Sequence, residues 1–491
     1  MLLALLSLAG GVAQAQDDTS RVLDDFSDAS LWRVVTSNQV SGSIRQVEDP
    51  GGKALCLDYD FNGVSGYVGI QRDLSMQYPE NFAYSFKLRG DSPRNDLQFK
   101  LIDASGDNVW WVNRPRYEYP GQWTQVRYKR RQIDKAWGPD PDKTLRSSAR
   151  LEYTLSNNAG GKGEVCFDQL MLEALPVDDG SPLTGPVTAS SALPAGAAAA
   201  AVDGDSNTAW YADFDRAPTF TLDLSRVREF GGLELEWNPA EHASDYLVQL
   251  SDDQQQWRDV RTVVSGNGGL DHIALPEAEA RYIRLRIADG PSSSFGLARF
   301  EVQPLAFSAH PNDLIKAMAA DAPRGWFPRG FSGEQPYWTI VGLDGGTEQG
   351  LIGEDGAIEV GKGGFSIEPF VITDGRLVTW ADVQATQSLQ DGYLPIPSVD
   401  WTHAEFALRT TAFVEGTPGR SQLVARYRLA NTSERTREYT LALAVRPLQV
   451  NPPSQFLNTI GGVSPIHALS FADGVVTVDG KPRVFSLQAP N

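Results

Sequence analysis

The chain has 491 residues, room for roughly three domains of ordinary size. Its 43 Lys and Arg against 62 Asp and Glu leave a net charge of −19, which repels phosphate backbones and excludes nucleic acid as a partner unless a local basic patch exists. Two Cys and five scattered His (His242, His272, His310, His403, His467) offer no local spacing for a zinc cluster or a cysteine-protease nucleophile.

Residues 1–15, MLLALLSLAGGVAQA, hold a short apolar run from Leu2 to Leu8 and a small-x-small ending at Ala13-Gln14-Ala15. This reads as a secretory signal cleaved before Gln16, too short to cross a bilayer, although no Lys or Arg precedes the run. A buried N-terminal helix is the structural alternative. The expected location is secreted, periplasmic or cell-surface, with no membrane span elsewhere. Export places Cys56 (KALCLDYDF) and Cys166 (GEVCFDQLML) in an oxidising compartment. They bridge only if their two strand-like segments lie side by side, and are otherwise buried thiols.

Further along, apolar residues alternate over five to eight positions between Gly, Pro, Asn and Asp clusters. Examples are FAYSFKLRG (82–90), DLQFKLIDASGD (96–107), FTLDL (220–224), YLVQLSDD (246–253), YIRLRIADG (282–290), LVARYRLANTS (423–433) and YTLALAVRP (439–447). The pattern predicts an all-β chain of three serial antiparallel β-sandwich or jelly-roll domains. One short linker helix is predicted at 312–320, NDLIKAMAA, stopped by Pro323. PVDDGSPLTGP (176–186) and the stretch 304–324 read as linkers, so the expected blocks are 21–176, 187–304 and 325–491.

The first block opens with VLDDFSDASLW and closes with VCFDQLMLE, end strands of the kind that meet in a jelly-roll. It resembles the exported carbohydrate-binding jelly-rolls of the galactose-binding-like type. Its chemistry concentrates in WWVNRPRYEYPGQW (110–123). A sugar ring shows an apolar C–H face and a rim of hydroxyls; an aromatic plate takes the first, and planar Arg, Asn or carboxylate groups take the second. Trp110 and Trp111 are adjacent on a strand and point to opposite faces, so at most one is core. The candidate carbohydrate-binding residues are Trp110, Trp111, Asn113, Arg114, Arg116 and Tyr117, with Tyr119 beside them and Trp137 in the loop KAWGPDPDK. A core Trp beside a scattered surface Trp is the structural alternative. Asp24, Asp25 and Asp168, near the end strands, offer hard oxygens to Ca2+ or serve turns and caps.

In the second block AAAVDGDSNTAW (199–210), FTLDLS (220–225), YLVQLSDDQQQWRDV (246–260), ARYIRLRI (280–287) and FGLARFEV (295–302) occur in that order. Together they resemble a discoidin, or coagulation factor 5/8 type C, domain, related to bacterial galactose-binding modules. The resemblance implies a Ca2+ loop, whose matching positions are Ala200, Asp203, Asp205, Thr208 and Ala298. The family's late Glu falls on Arg299, which counts against the ion and is expected to pair with Asp203 instead; Glu301 comes too late and is expected to point away. The resemblance also implies a sugar site with an aromatic before the last strand, matching Phe295, and a hydrogen-bonding His, for which His242 in WNPAEHASDY is the candidate. Trp210 and Trp257 are expected in the core. The same fold also hosts lipid and protein binders.

The third block carries WFPRGFSGEQPYWTIVGLDGGTEQGLIGEDGAIEV (326–360) and VARYRLANTSERTREYTLALAVRPLQVNPP (424–453). It resembles the β-sandwich that precedes the (α/α)6 barrel of glycoside hydrolases and phosphorylases acting on glucans. In that family the acid/base carboxylates sit in the barrel, which lies outside this sequence, so no catalytic residue is assigned. The expectation is a secreted, non-catalytic array that binds oligo- or polysaccharide as the front part of a glycoside hydrolase. Two alternatives stand beside it. One is a cell-surface adhesion or scaffolding protein using the discoidin loops. The other is a glycosidase site within 325–491, drawing on Glu334, Asp344, Glu348, Glu354, Asp355, Glu359 and Glu368, with Trp338, Trp380 and Trp401 as subsites.

Overall fold

The computed structural model describes residues 20–49, 52–194, 196–215, 217–454 and 460–488; the predicted signal segment lies outside them. The chain divides into two compact units, Met1–Ser181 and Pro182–Asn491. Both are built of antiparallel strands, as the alternation predicts. Among the described residues the one α-helix is Pro311–Asp321. Its first turn is held by a reciprocal cap: the His310 ring accepts from the Asn312 N–H at 3.1 Å, and Asp313 accepts from the His310 N–H at 3.1 Å.

The first unit is two six-stranded sheets packed face to face. One runs Ser41–Asp49, Gly52–Asp60, Lys162–Ala174, Phe82–Asp91, Thr124–Lys129, with Ser20–Asp24 added along Lys162–Ala174. The two end strands therefore meet. The other sheet runs Asp134–Trp137, Val109–Arg114, Asp96–Ile102, Ser147–Ser156, Tyr67–Gln77, Arg33–Thr36. Between them lies an aromatic core in which Tyr153 stacks on Phe167 at 4.3 Å and meets Phe86 edge-on at 4.9 Å. Cys56 and Cys166 are directly opposite on neighbouring strands and are joined by a disulfide. Asp24, Asp25 and Asp168 take turn and ion-pair roles. Asp24 accepts from the Trp32 indole at 2.8 Å and pairs with Arg72; Asp25 accepts from the Ser27 N–H at 3.0 Å; Asp168 pairs with Lys87 at 3.7 Å.

In the second unit a seven-stranded sheet runs Trp210–Asp213, Ser294–Gln303, Thr219–Trp237, Gly269–Asp289, Asp245–Ser251, Arg258–Val263, with Val187–Ala189 on Thr219–Trp237. The two longest strands break register between Asp223 and Arg228 and again between Phe230 and Gly232. Such breaks bend a strand, and here the bent strands enclose one core containing Trp210, Phe220, Trp237, Phe295 and Phe300. Trp210 is core as expected. Trp257 is not: it precedes an edge strand and is only half-buried, with the Arg284 guanidinium 3.7 Å from its ring centre.

The remaining strands form sheets of six, four and three. The first two enclose a core that includes Ile358, Val371, Trp380, Trp401 and Phe406, and the three-stranded sheet packs Val476, Val478 and Val484 against Phe365 and Ile367. This corrects the expected subsites. Trp380 and Trp401 are buried, and donate their indole N–H groups to the carbonyls of Phe327 (3.2 Å) and Asp355 (3.1 Å).

Candidate functional site

The outer face of the second sheet in the first unit gathers the strongest set of functional groups. Register places Arg33, Gln71, Glu152, Lys100 and Trp111 side by side across five strands. The next row holds Thr154, Gln98 and Asn113. Burying the charges of Lys100 and Glu152 is costly unless they are paired. Here they meet at 3.1 Å, the Gln71 amide donates to Glu152 at 2.6 Å, and Arg33 donates to Gln71. This polar floor has aromatic walls. Trp111 and Trp137 stand edge to face, 5.5 Å between centroids, and the Lys100 ammonium lies 5.9 Å from the Trp137 ring and 5.8 Å from Tyr67. Trp137 is 49% exposed. Among the described residues, the buried Asn113 Oδ1 has no hydrogen-bond partner.

The turn that carries Trp137 is built locally. Asn108 Oδ1 accepts from the Asp140 N–H at 3.0 Å and from Lys135 at 3.1 Å. A Cβ at Gly138, whose φ is 129°, would come within 2.4 Å of that oxygen. Asn108 is anchored in turn by Asp103. Burial works against that carboxylate, yet hydrogen bonds from Asn108, Ser105 and Gly106 hold it at about 2.

Several sequence-predicted residues lie elsewhere. Trp110 is core, its indole N–H donated to the Lys143 carbonyl at 2.8 Å, because alternation sends one of the two adjacent indoles inward. Arg114 turns to the Tyr128 ring at 5.6 Å. Arg116 sits at a left-handed turn (φ 51°), where its N–H binds Asp96 at 2.8 Å. Tyr117 and Tyr119 pack edge to face against each other at 5.1 Å, Tyr119 within the core and Tyr117 beside it. Of the 110–119 segment, Trp111 and Asn113 share a face with Trp137. Sequence reading missed Tyr67, Gln71, Gln98, Lys100 and Glu152. The signal for Gln98 and Lys100 was the polar half of the alternation in DLQFKLI; their partners depend on strand register.

In the second unit Phe295 is fully buried, 5.0 Å from Trp210, so it cannot stack on a sugar. His242 is half-buried in a loop, its Nδ1 3.3 Å from the Pro239 carbonyl. At the loop 203–208 the Thr208 hydroxyl lies 2.8 Å from Asp203 Oδ2, 3.0 Å from the Asp205 carbonyl and 3.4 Å from the Ala200 carbonyl. The family model for the F5/8 type C domain matches residues 186–301. Residues 186–301 are an F5/8 type C domain.

The F5/8 type C domain supplies only part of a Ca2+ shell. The oxygens of Ala200, Asp203, Asp205 and Thr208 converge, but the Asp205 carboxylate is spent on Asn207, whose N–H groups hold it below the usual range. Ala298 brings no side-chain oxygen. Arg299 is not drawn to Asp203. It faces Glu236 at 3.5 Å and Glu301 at 3.7 Å, so Glu301 shares its face and does not point away. The residues present therefore fit Ca2+ incompletely.

Among solved structures, a chitosan-binding module of a chitosanase/glucanase from Paenibacillus sp. IK-5 is 30% identical over 25% of this chain and 96% of its own, with a TM-score of 0.23. A family 11 carbohydrate-binding module of a Clostridium thermocellum cellulosomal cellulase is 16% identical over 33% of this chain and 97% of its own (TM-score 0.28). A family 32 module of Clostridium perfringens, solved with galactose, is 16% identical over 24% and 91% (TM-score 0.22). No curated protein matches the chain.

Beyond the F5/8 type C domain, the buried acids of 325–491 are engaged. Arg329 clamps Asp355 at 2.9 Å, reaches Glu334 at 2.8 Å and lies over Trp380 at 4.1 Å. Glu368 pairs with Arg446 at 2.9 Å, and Glu359 accepts from the N–H groups of Gly363 and Asn451. Asp344 and Glu348 are exposed. A cavity lies beside Arg329, Tyr337, Asp355, Glu368 and Gln449.

Proposed function

We propose that this chain is a non-catalytic carbohydrate-binding protein, and that the Trp111–Trp137 face of its first unit takes an oligo- or polysaccharide. The observation that carries the reading is the pair of edge-to-face indoles beside a floor of mutually paired polar side chains. The rings meet the C–H face of a pyranose. Lys100, Gln71 and Glu152 present fixed donors and acceptors to its hydroxyls, and Asn113 Oδ1 offers an acceptor that has no donor among the described residues. Because the polar groups already hold one another, binding costs little side-chain ordering. The F5/8 type C domain is the second attachment point in this reading, and linkage of weak sites raises avidity through effective concentration.

The arginine-held carboxylates of 325–491 support binding rather than hydrolysis as the task of this chain. The Cys56–Cys166 bond and the composition of residues 1–15 support a secreted, periplasmic or cell-surface location. A role beside a glycoside hydrolase is the finer form of the same reading and rests on the resemblance of the third block.

Affinity electrophoresis through gels cast with a panel of polysaccharides tests the reading. Wild type is retarded by at least one glycan, and Trp111→Ala and Trp137→Ala each weaken retention by at least about tenfold, roughly 1.4 kcal/mol. Their thermal unfolding stays close to wild type. No retardation on any glycan would sink the proposal. Undiminished retardation of both variants would move the site off this face.

A further inference from the structure

The structure assigns a divalent-metal site to Glu234, His272 and Asp321, with Zn2+ as the ion its chemistry fits. The three residues come from different places: Glu234 and His272 face each other across neighbouring strands of the F5/8 type C sheet, and Asp321 ends the helix Pro311–Asp321. His272 Nε2 is 2.9 Å from Asp321 Oδ2 and 3.8 Å from Glu234 Oε1, and the three ligand atoms all lie within 4.8 Å of one another. Ligands about 2.0–2.2 Å from a tetrahedral Zn2+ stand roughly 3.3–3.6 Å apart, so small side-chain shifts close the shell. Each group is already aimed. Gln303 donates to Glu234 Oε2 at 2.9 Å, leaving Oε1 toward the imidazole, and the Phe307 ring lies parallel to His272, 8° from its plane.

Charge favours the ion. Two carboxylates and a neutral imidazole balance Zn2+. An imidazole nitrogen and two carboxylates form a poor shell for Ca2+, which asks for six to eight oxygens. Bound through Nε2, the neutral imidazole carries its one proton on Nδ1, and any second ring proton leaves to solvent as the metal takes the Nε2 lone pair; water completes the fourth position. The ion would then tie the helix to the F5/8 type C sheet.

The test uses the full, tag-free chain stripped with chelator. Calorimetric titration with Zn2+ should show one equivalent bound, with a raised thermal midpoint, and Co2+ should give the visible absorption of a four-coordinate site. His272→Ala and Glu234→Gln should each weaken Zn2+ binding by at least about tenfold, whereas His467→Ala, an exposed His, should not. Asp321→Asn, at the exposed end of the helix, keeps a hydrogen-bonding group and serves if the other variants fail to fold; it too should weaken binding. Absence of saturable binding at millimolar Zn2+ overturns the site. So does binding that survives in Asp321→Asn and His272→Ala, which would mark the ion as adventitious.

Discussion

Trp110 and Trp111 differ by one position and do opposite work: one indole is core, and the other faces outward beside Trp137. Nothing in their chemistry distinguishes them; the pleat does. Asp355 shows how a carboxylate loses its usual behaviour by placement. Burial pushes it up from 3.8 to about 6, although Arg329 pulls the other way. A carboxyl raised in the folded state contributes stability fully below the unfolded value, and that contribution is lost as pH rises through the folded value. Asp355→Asn does not titrate. The stability difference between the variant and wild type should therefore move in the variant's favour as pH rises from about 4 to about 6, by up to about 3 kcal/mol. Urea midpoints across that window measure it. A pH-independent offset would show that Arg329 keeps Asp355 ionised throughout.

At the scale of elements, what matters is which strands are neighbours. The strand Asp96–Ile102 reads plainly as apolar-in, polar-out, with Leu97, Phe99 and Leu101 in the core. That Lys100 meets Glu152, more than fifty residues away, follows from the register of Ser147–Ser156 against it. The same holds for Cys56 and Cys166, whose pairing waits on two strands 110 positions apart being adjacent. Closing a loop of that length removes denatured-state entropy worth about 5 kcal/mol in the chain-entropy model. The double variant Cys56→Ala, Cys166→Ala should lower the stability of the first unit by an amount of that order, read as an earlier transition in urea monitored by tryptophan fluorescence. An unchanged transition would mean that the aromatic core alone decides the stability of this unit.

For the whole molecule, the proposed reading makes the net charge of −19 the filter on which glycans are tolerated. A neutral polysaccharide bound by stacking and hydrogen bonds carries no charge to screen. Its retention should change less than about twofold between low salt and about 0.5 M salt, beyond which the Debye length is a few ångströms. A polyuronate should be excluded at low salt and less so at high salt. Strong low-salt binding of a polyanion would show that a local basic strip, and not the Trp111–Trp137 face, makes the contact. The sequence by itself determined the all-β class, the linker helix and the F5/8 type C domain, because alternation, capping residues and ordered motifs are local in the chain. Tertiary structure alone decided that Phe295, Trp380 and Trp401 are buried, that Lys100 and Glu152 floor an aromatic face, and that Glu234, His272 and Asp321 converge. Each of those depends on register and packing between segments far apart, and a period of two residues says which side of a strand a group takes, never what it will meet there.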